Sequence, residues 1–147
     1  MPAPTASQIE SIATGALQAA GIQGEDAPGL AKALAQVTAQ ALTLFLGQAQ
    51  ILPGIPAAAP PPPGSGSTVG PGMLLPPPAG GPGASQLEGP AQSALKAEGI
   101  QGENAGDLAK VIAASLAQAI TLFAAQVKVA PGIAIAGFTT TSPGTLV

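Results

Sequence analysis

Apolar residues along the chain recur at the spacing of helix faces, and they do so twice. Ile9, Ile12, Ala13, Ala16, Leu17 and Ala20 fall three and four positions apart, which predicts a helix over 7–20. A second helix is predicted over 27–50. Its polar positions, Lys32, Gln36, Gln40, Thr43 and Gln50, form one narrow stripe. Leu30, Leu34, Val37, Ala41, Leu44 and Phe45 form a face for the preceding helix. Leu42 and Leu46, with Ala35, Ala39 and Ala49, form another apolar face. The pattern returns over 105–128 with Leu108, Ile112, Leu116, Ile120 and Phe123, plus Val111 and Leu122. At 1.5 Å per residue each long helix is about 35 Å. A two-helix unit covers only one such face, so the other must meet another helix, another chain or lipid.

Start and stop signals flank these runs. Ser7-Gln8-Ile9-Glu10 and Ser85-Gln86-Leu87-Glu88 read as capping boxes. Gly21 and Gly99 stand where a helix C-terminus takes a left-handed residue. Asp26 and Asn104 are N-caps for the long helices, and Asp107 adds an acidic side chain favoured by the helix dipole. Pro53 and Pro131 follow the helix ends, whereas Gly89-Pro90 weakens the first turn of the third helix.

A shift of 78 residues aligns Ala6–Ile55 with Ala84–Ile133 without gaps, and 28 of the 50 pairs are identical. Gly21-Ile22-Gln23-Gly24-Glu25 matches Gly99-Ile100-Gln101-Gly102-Glu103, and Thr43-Leu44-Phe45 matches Thr121-Leu122-Phe123. Identity at this level identifies a tandem duplication. Between the copies, 56–83 holds 10 Pro and 7 Gly and no charge. Its Pro runs favour polyproline II, which would span on the order of 85 Å fully extended. The last residues, with Ala134-Ile135-Ala136-Gly137-Phe138 and a Thr run, favour extended structure suited to adding a strand to a neighbour. The expected fold is all-α: helical hairpins over 1–55 and 84–133, an extended Pro/Gly-rich arm over 56–83, and an extended C-terminal tail over 134–147.

Composition narrows the chemistry. The 147 residues contain no His and no Cys, and charged residues are 7% against a usual quarter. Zinc, haem and iron–sulfur sites lack their usual ligands, and Ser-His-Asp or Cys-His catalysis cannot be assembled. Four Lys, no Arg and a net charge of −3 give no footprint for nucleic acid. Glu25, Asp26 and Glu103 sit in the inter-helix turns, where capping accounts for them. Lys32 and Lys110 read as solvated tips or carboxylate partners. Gly-Ile-Gln-Gly lacks the Lys-Ser/Thr and the preceding strand of a phosphate loop. The Pro runs carry no flanking base of the kind SH3 and WW ligands use. No catalytic residue, cofactor or metal is nominated. The stretches 33–52 and 111–127 are uncharged and of near-spanning length, but they contain Gln and Thr, and no Trp, Tyr or Arg marks an interface. Neither end has a signal-peptide pattern.

The duplicated Ala-rich hairpins, the uncharged Pro/Gly arm and the Thr-Ser-Pro-Gly-Thr-Leu-Val tail resemble, in type, small accessory structural proteins of tailed bacteriophage particles and related contractile injection machines. The resemblance implies a non-enzymatic virion component, such as a capsid decoration or cement protein or a neck, tail or baseplate piece. Its partners would be other structural proteins and further copies of itself, with no nucleic acid or membrane. Three chains with two repeats each would match a sixfold body. The assembly residues are Leu42, Leu46, Val111 and Leu122 on outer helix faces and Ile133, Ile135 and Phe138 in the stapling tail. The alternatives are a bivalent adaptor with two equivalent hairpins and a membrane-active helical hairpin. Replacing Leu42 and Leu46 together with Gln is expected to reduce assembled mass, read by light scattering, with little loss of helical circular dichroism. Unchanged assembly would count against those two positions.

Overall fold

In the computed structural model, residues 4–52, 55–58, 64–75, 77, 79–136, 139–140, 144 and 146 are described. Four helices dominate them: α1 (Ala6–Ala19), α2 (Ala27–Gln48), α3 (Ala84–Ala97) and α4 (Ala105–Gln126). The bounds of α3 and α4 lie 78 residues after those of α1 and α2. Helix α1 packs along α2, and α3 along α4, while α2 also lies against α3.

The turns follow from glycine. Gly21 and Gly99 have φ of 75° and 76°, a conformation that costs glycine no Cβ clash. The N–H of Ile22 donates to the Leu17 carbonyl at 2.9 Å and that of Gly21 to Gln18 at 3.0 Å. Ile100 to Leu95 at 2.9 Å and Gly99 to Lys96 at 3.1 Å repeat the pair. Both ends are therefore Schellman caps. The short helices start two residues before the expected boxes. Thr5 and Gly83 are the N-caps, and their N–H groups donate to the Gln8 and Gln86 Oε1 atoms at 2.9 and 3.1 Å. Gln at the third helical position returns to the cap as Glu would have done. Asp26 and Asn104 stand at the N-caps of the long helices, without side-chain cap bonds.

The chain is mostly helical but not all-α. The arm and tail contribute short antiparallel strands: β1 (Ala57–Ala58), β2 (Ser65–Thr68), β3 (Gly72–Met73), β4 (Lys128–Val129), β5 (Ala134–Ala136) and β6 (Thr139–Thr140). One sheet has the order β1-β2-β5-β6, with Ser65 opposite Ala136 and Ser67 opposite Ala134. A second pairs Gly72 with Val129 and Met73 with Lys128. The first sheet thus joins arm to tail within one molecule, so the described parts of the arm are folded back. An uncharged Gly/Ser/Thr segment satisfies its backbone polar groups this way when burial removes water. Strand pairing also shortens the long helices. Ala49 and Val127 turn extended at ψ of 125° and 141°, the Gln50 carbonyl accepts from Leu75 N–H at 2.8 Å, and Lys128 enters β4.

Contacts of the return strands recur in both halves. Leu74 bridges Ile51, and Leu146 bridges Val129, 78 residues on from Ile51. A Cβ on Gly72 would strike Ile55 at 2.7 Å and Ile51 at 3.1 Å. A Cβ on Gly144 would strike Val129 at 2.6 Å and Ile133 at 2.9 Å, the residues 78 further on. Pro71-Gly72-Met73-Leu74 and Pro143-Gly144-Thr145-Leu146 share Pro, Gly and Leu at a shift of 72. The described contacts of Gly144 and Leu146 thus match those of Gly72 and Leu74.

Two apolar clusters form the core. Ala33, Val37, Ala91, Leu95, Ala109 and Ile112 pack in one. Ala41, Phe45, Leu87, Ile120, Val129 and Ile133 belong to the other, with Leu74 from the arm. Phe45 meets Phe123 edge-on at 5.7 Å between centroids, worth about 0.5–1.5 kcal/mol beyond burial. Helix α1 has no buried residue.

Thr68 is the one polar side chain buried among the described residues. Its Oγ1 accepts from Gly132 N–H at 3.1 Å and Ile133 N–H at 3.0 Å. Its own N–H donates to the Ile133 carbonyl at 3.0 Å. Arm and tail are fastened at this residue. Thr68→Val removes the acceptor of a buried N–H and is expected to destabilise the fold by about 1–3 kcal/mol, whereas Thr68→Ser retains most of the stability. Chemical denaturation of the two variants measures the difference.

A candidate assembly surface

Helix α2 carries an i, i+4 stripe, Ala33, Val37, Ala41 and Phe45, with each residue at most 1% exposed. The small side chains of Ala33 and Ala41 permit a close approach of α3. Gln36 and Gln40 of α2 face Gly89, Pro90, Ser93 and Ala94 of α3 across their seam. At its end Gly29 abuts Glu98, where an added Cβ would sit 3.4 Å away. Lys32 Nζ lies 3.8 Å from Glu98 Oε2, a pair in which the lysine is half exposed and the carboxylate largely covered.

Moving 78 residues along gives the stripe Val111, Ser115, Ala119 and Phe123 on α4. All four residues are exposed, Val111 at 61%. They border Leu122, itself 63% exposed. Val111, Ala114, Ser115, Gln118 and Leu122 line an open groove of about 960 Å³, walled on its far side by Pro82 and the start of α3. Among the described residues no helix fills it. The counterpart on α1 is also open. Leu87, Ala91, Ala94 and Leu95 of α3 are buried, whereas Ile9, Ala13, Ala16 and Leu17 are not, and Ile12 in the place of Pro90 is 73% exposed.

The expected assembly residues divide accordingly. Val111 and Leu122 lie together on the open groove. Leu46 is partly exposed at 37%. Leu42 is half-buried and lines a small apolar groove between α2 and α4 with Phe45 and Phe123. Ile133 is a correction. It is 7% exposed within the molecule's own core, because Thr68 and the return strand close over it. Ile135 is half-buried in β5. Phe138 lies outside the described residues. Sequence periodicity did not single out Ile12 as an outer residue. Its signal was the alignment of an isoleucine with Pro90 of a helix that has a neighbour.

Two further grooves match position for position. Thr14, Leu17, Gln18, Ile22, Gln23, Gly24, Ala27 and Pro28 line one of about 330 Å³; the residues 78 further on line another of about 320 Å³. Both are capped by the Schellman turns. Among the described residues no three acidic side chains cluster as metal ligands would. Lys110 pairs with Asp107 at 3.4 Å within its own helix. Both α2 and α4 are long and apolar enough to cross a membrane by length and composition. The chain matches no protein-family model, and no curated protein and no solved structure shows significant similarity to it.

Proposed function

We propose that the chain is a tandem duplication that serves as a non-catalytic structural component of a large protein assembly, of the kind found in tailed-bacteriophage particles as capsid decoration, cement, or neck, tail and baseplate pieces. The supporting observation is the open apolar surface of α1 and α4, where Ile12, Val111, Leu122 and Phe123 stand exposed on well-formed helices. Monomeric soluble proteins rarely leave contiguous apolar surface uncovered, and such patches mark interaction sites. The helix faces supply docking. The described arm and tail strands staple the two halves of one molecule, so stapling of neighbours falls to the sheet edges β1 and β6.

A bivalent adaptor is the second reading. It is favoured by the paired grooves beside the two Schellman turns, which are lined at equivalent positions and share Leu, Ile, Gln, Gly and Ala at five of the eight. Tethering would then raise effective concentration without any new contact. A membrane-active hairpin is the third, and it draws on the length of α2 and α4 alone.

Light scattering of the purified chain without detergent, combined with flotation on lipid vesicles, separates these readings. The structural role predicts a soluble helical protein that stays off the vesicles and is found as a defined oligomer or particle. A soluble monomer carrying two equivalent sites for one ligand would favour the adaptor. Co-flotation, or solubility only in detergent, would overturn the structural reading.

A further inference from the structure

The two halves meet through four contacts, and three of them have the same polarity; the fourth sets Phe45 of α2 against Phe123 of α4. Helix α2 of the first half packs on α3, the first helix of the second. Strand β2, the second of its hairpin, pairs with β5, the first of the next hairpin. The return strand β3 pairs with β4, the segment that follows α4. In each of these three the later part of one half meets the earlier part of the other. A twofold arrangement would instead match α2 with α4 and give α4 the contact with α1 that α2 has with α3. Phe45 of α2 does meet its counterpart Phe123 of α4, but α1 and α4 have no contact comparable to that of α2 with α3, so the twofold match is not made. The join is heterologous, and a heterologous join leaves both halves of itself unused at the two ends of the molecule.

Those unused halves are the open surfaces described above. At one end are the α4 groove, the β6 edge and the last return strand at Leu146. At the other are the outer face of α1, the β1 edge and the strand-like segment at Ile51. We infer that the α1 end of a second copy of this chain docks on the α4 end of the first, repeating between chains the α2–α3 join. The inference rests on the structural reading above and names its partner.

Side-chain changes between the two joins compensate one another. In the α2–α3 join Gly29 gives room to Glu98, which reaches Lys32. At the equivalent places of the proposed join stand Asp107 and Ala20, so the large acidic residue has moved to the other side. Asp107 already holds Lys110, the lysine equivalent to Lys32. Ile12 replaces Pro90 opposite a groove in which Val111 replaces Ala33 and Ser115 replaces Val37. Apolar bulk is redistributed and not lost. Neither sheet edge carries a charged residue to discourage pairing, the usual protection of an edge strand.

A mixing experiment with the full chain tests polarity as well as association. Ile12→Asp blocks one end; Val111→Asp with Leu122→Asp blocks the other. All three residues are exposed, so the variants should keep the parent circular dichroism. Wild type is expected above monomer mass by light scattering, and each variant alone as a monomer. A one-to-one mixture of the variants is expected to form a dimer and nothing larger, through the single intact join. Either variant retaining the wild-type mass, or a mixture that stays monomeric, would overturn the inference. So would a wild-type monomer, although docking on a foreign structural protein would survive that result. Association with vesicles would remove both.

Discussion

The seating of α3 on the Ala33–Phe45 stripe of α2 holds the molecule together. Each hairpin alone has one helix with two apolar faces and one helix to cover them, and units of this size seldom stand alone without a metal, a disulfide or a partner. With no His and no Cys to supply the first two, the chain uses a second hairpin. The cost is geometric. The contact is made once, so the Ala33–Phe45 stripe of α2 is covered whereas its counterpart on α4 and the outer face of α1 stay open.

The arm follows from the same constraint. Joining the hairpins in this order places Pro131-Gly132-Ile133 beside β2, where Thr68 reaches its N–H groups. The return strand then runs between Ile51 on one side and Val129 on the other. A side chain at Gly72 would have to displace Ile55 and press on Ile51. A segment that composition would classify as a linker is in this way part of the packing between the halves.

Helices were legible because their signals are local. Apolar spacing, Gly21, Gly99, Asp26 and Asn104 act within a few residues, and the elements fall within about two residues of where these signals put them. The early caps at Thr5 and Gly83 were obscured because Gln8 and Glu10, like Gln86 and Glu88, both suit the third position of a capping box. The extended tail was legible, and β5 and β6 lie in it; the strands of the arm were not. Ser65-Gly66-Ser67-Thr68 has no apolar alternation, and its register comes from partners about 70 residues away. The outer surface was legible in part, since Val111 and Leu122 fell off the hairpin-facing stripe. Ile133 could not be distinguished from an exposed tail residue without knowing that the arm returns over it.

Cohesion in this molecule draws little on charge. The ion pairs among the described residues are two, and the buried clusters consist of Ala, Val, Leu, Ile and Phe. Ionic strength therefore has little to screen, whereas temperature acts directly on the burial of those side chains. Apolar burial near room temperature is driven by entropy and weakens on cooling. The joins of a protein built this way answer to temperature more than to dilute salt.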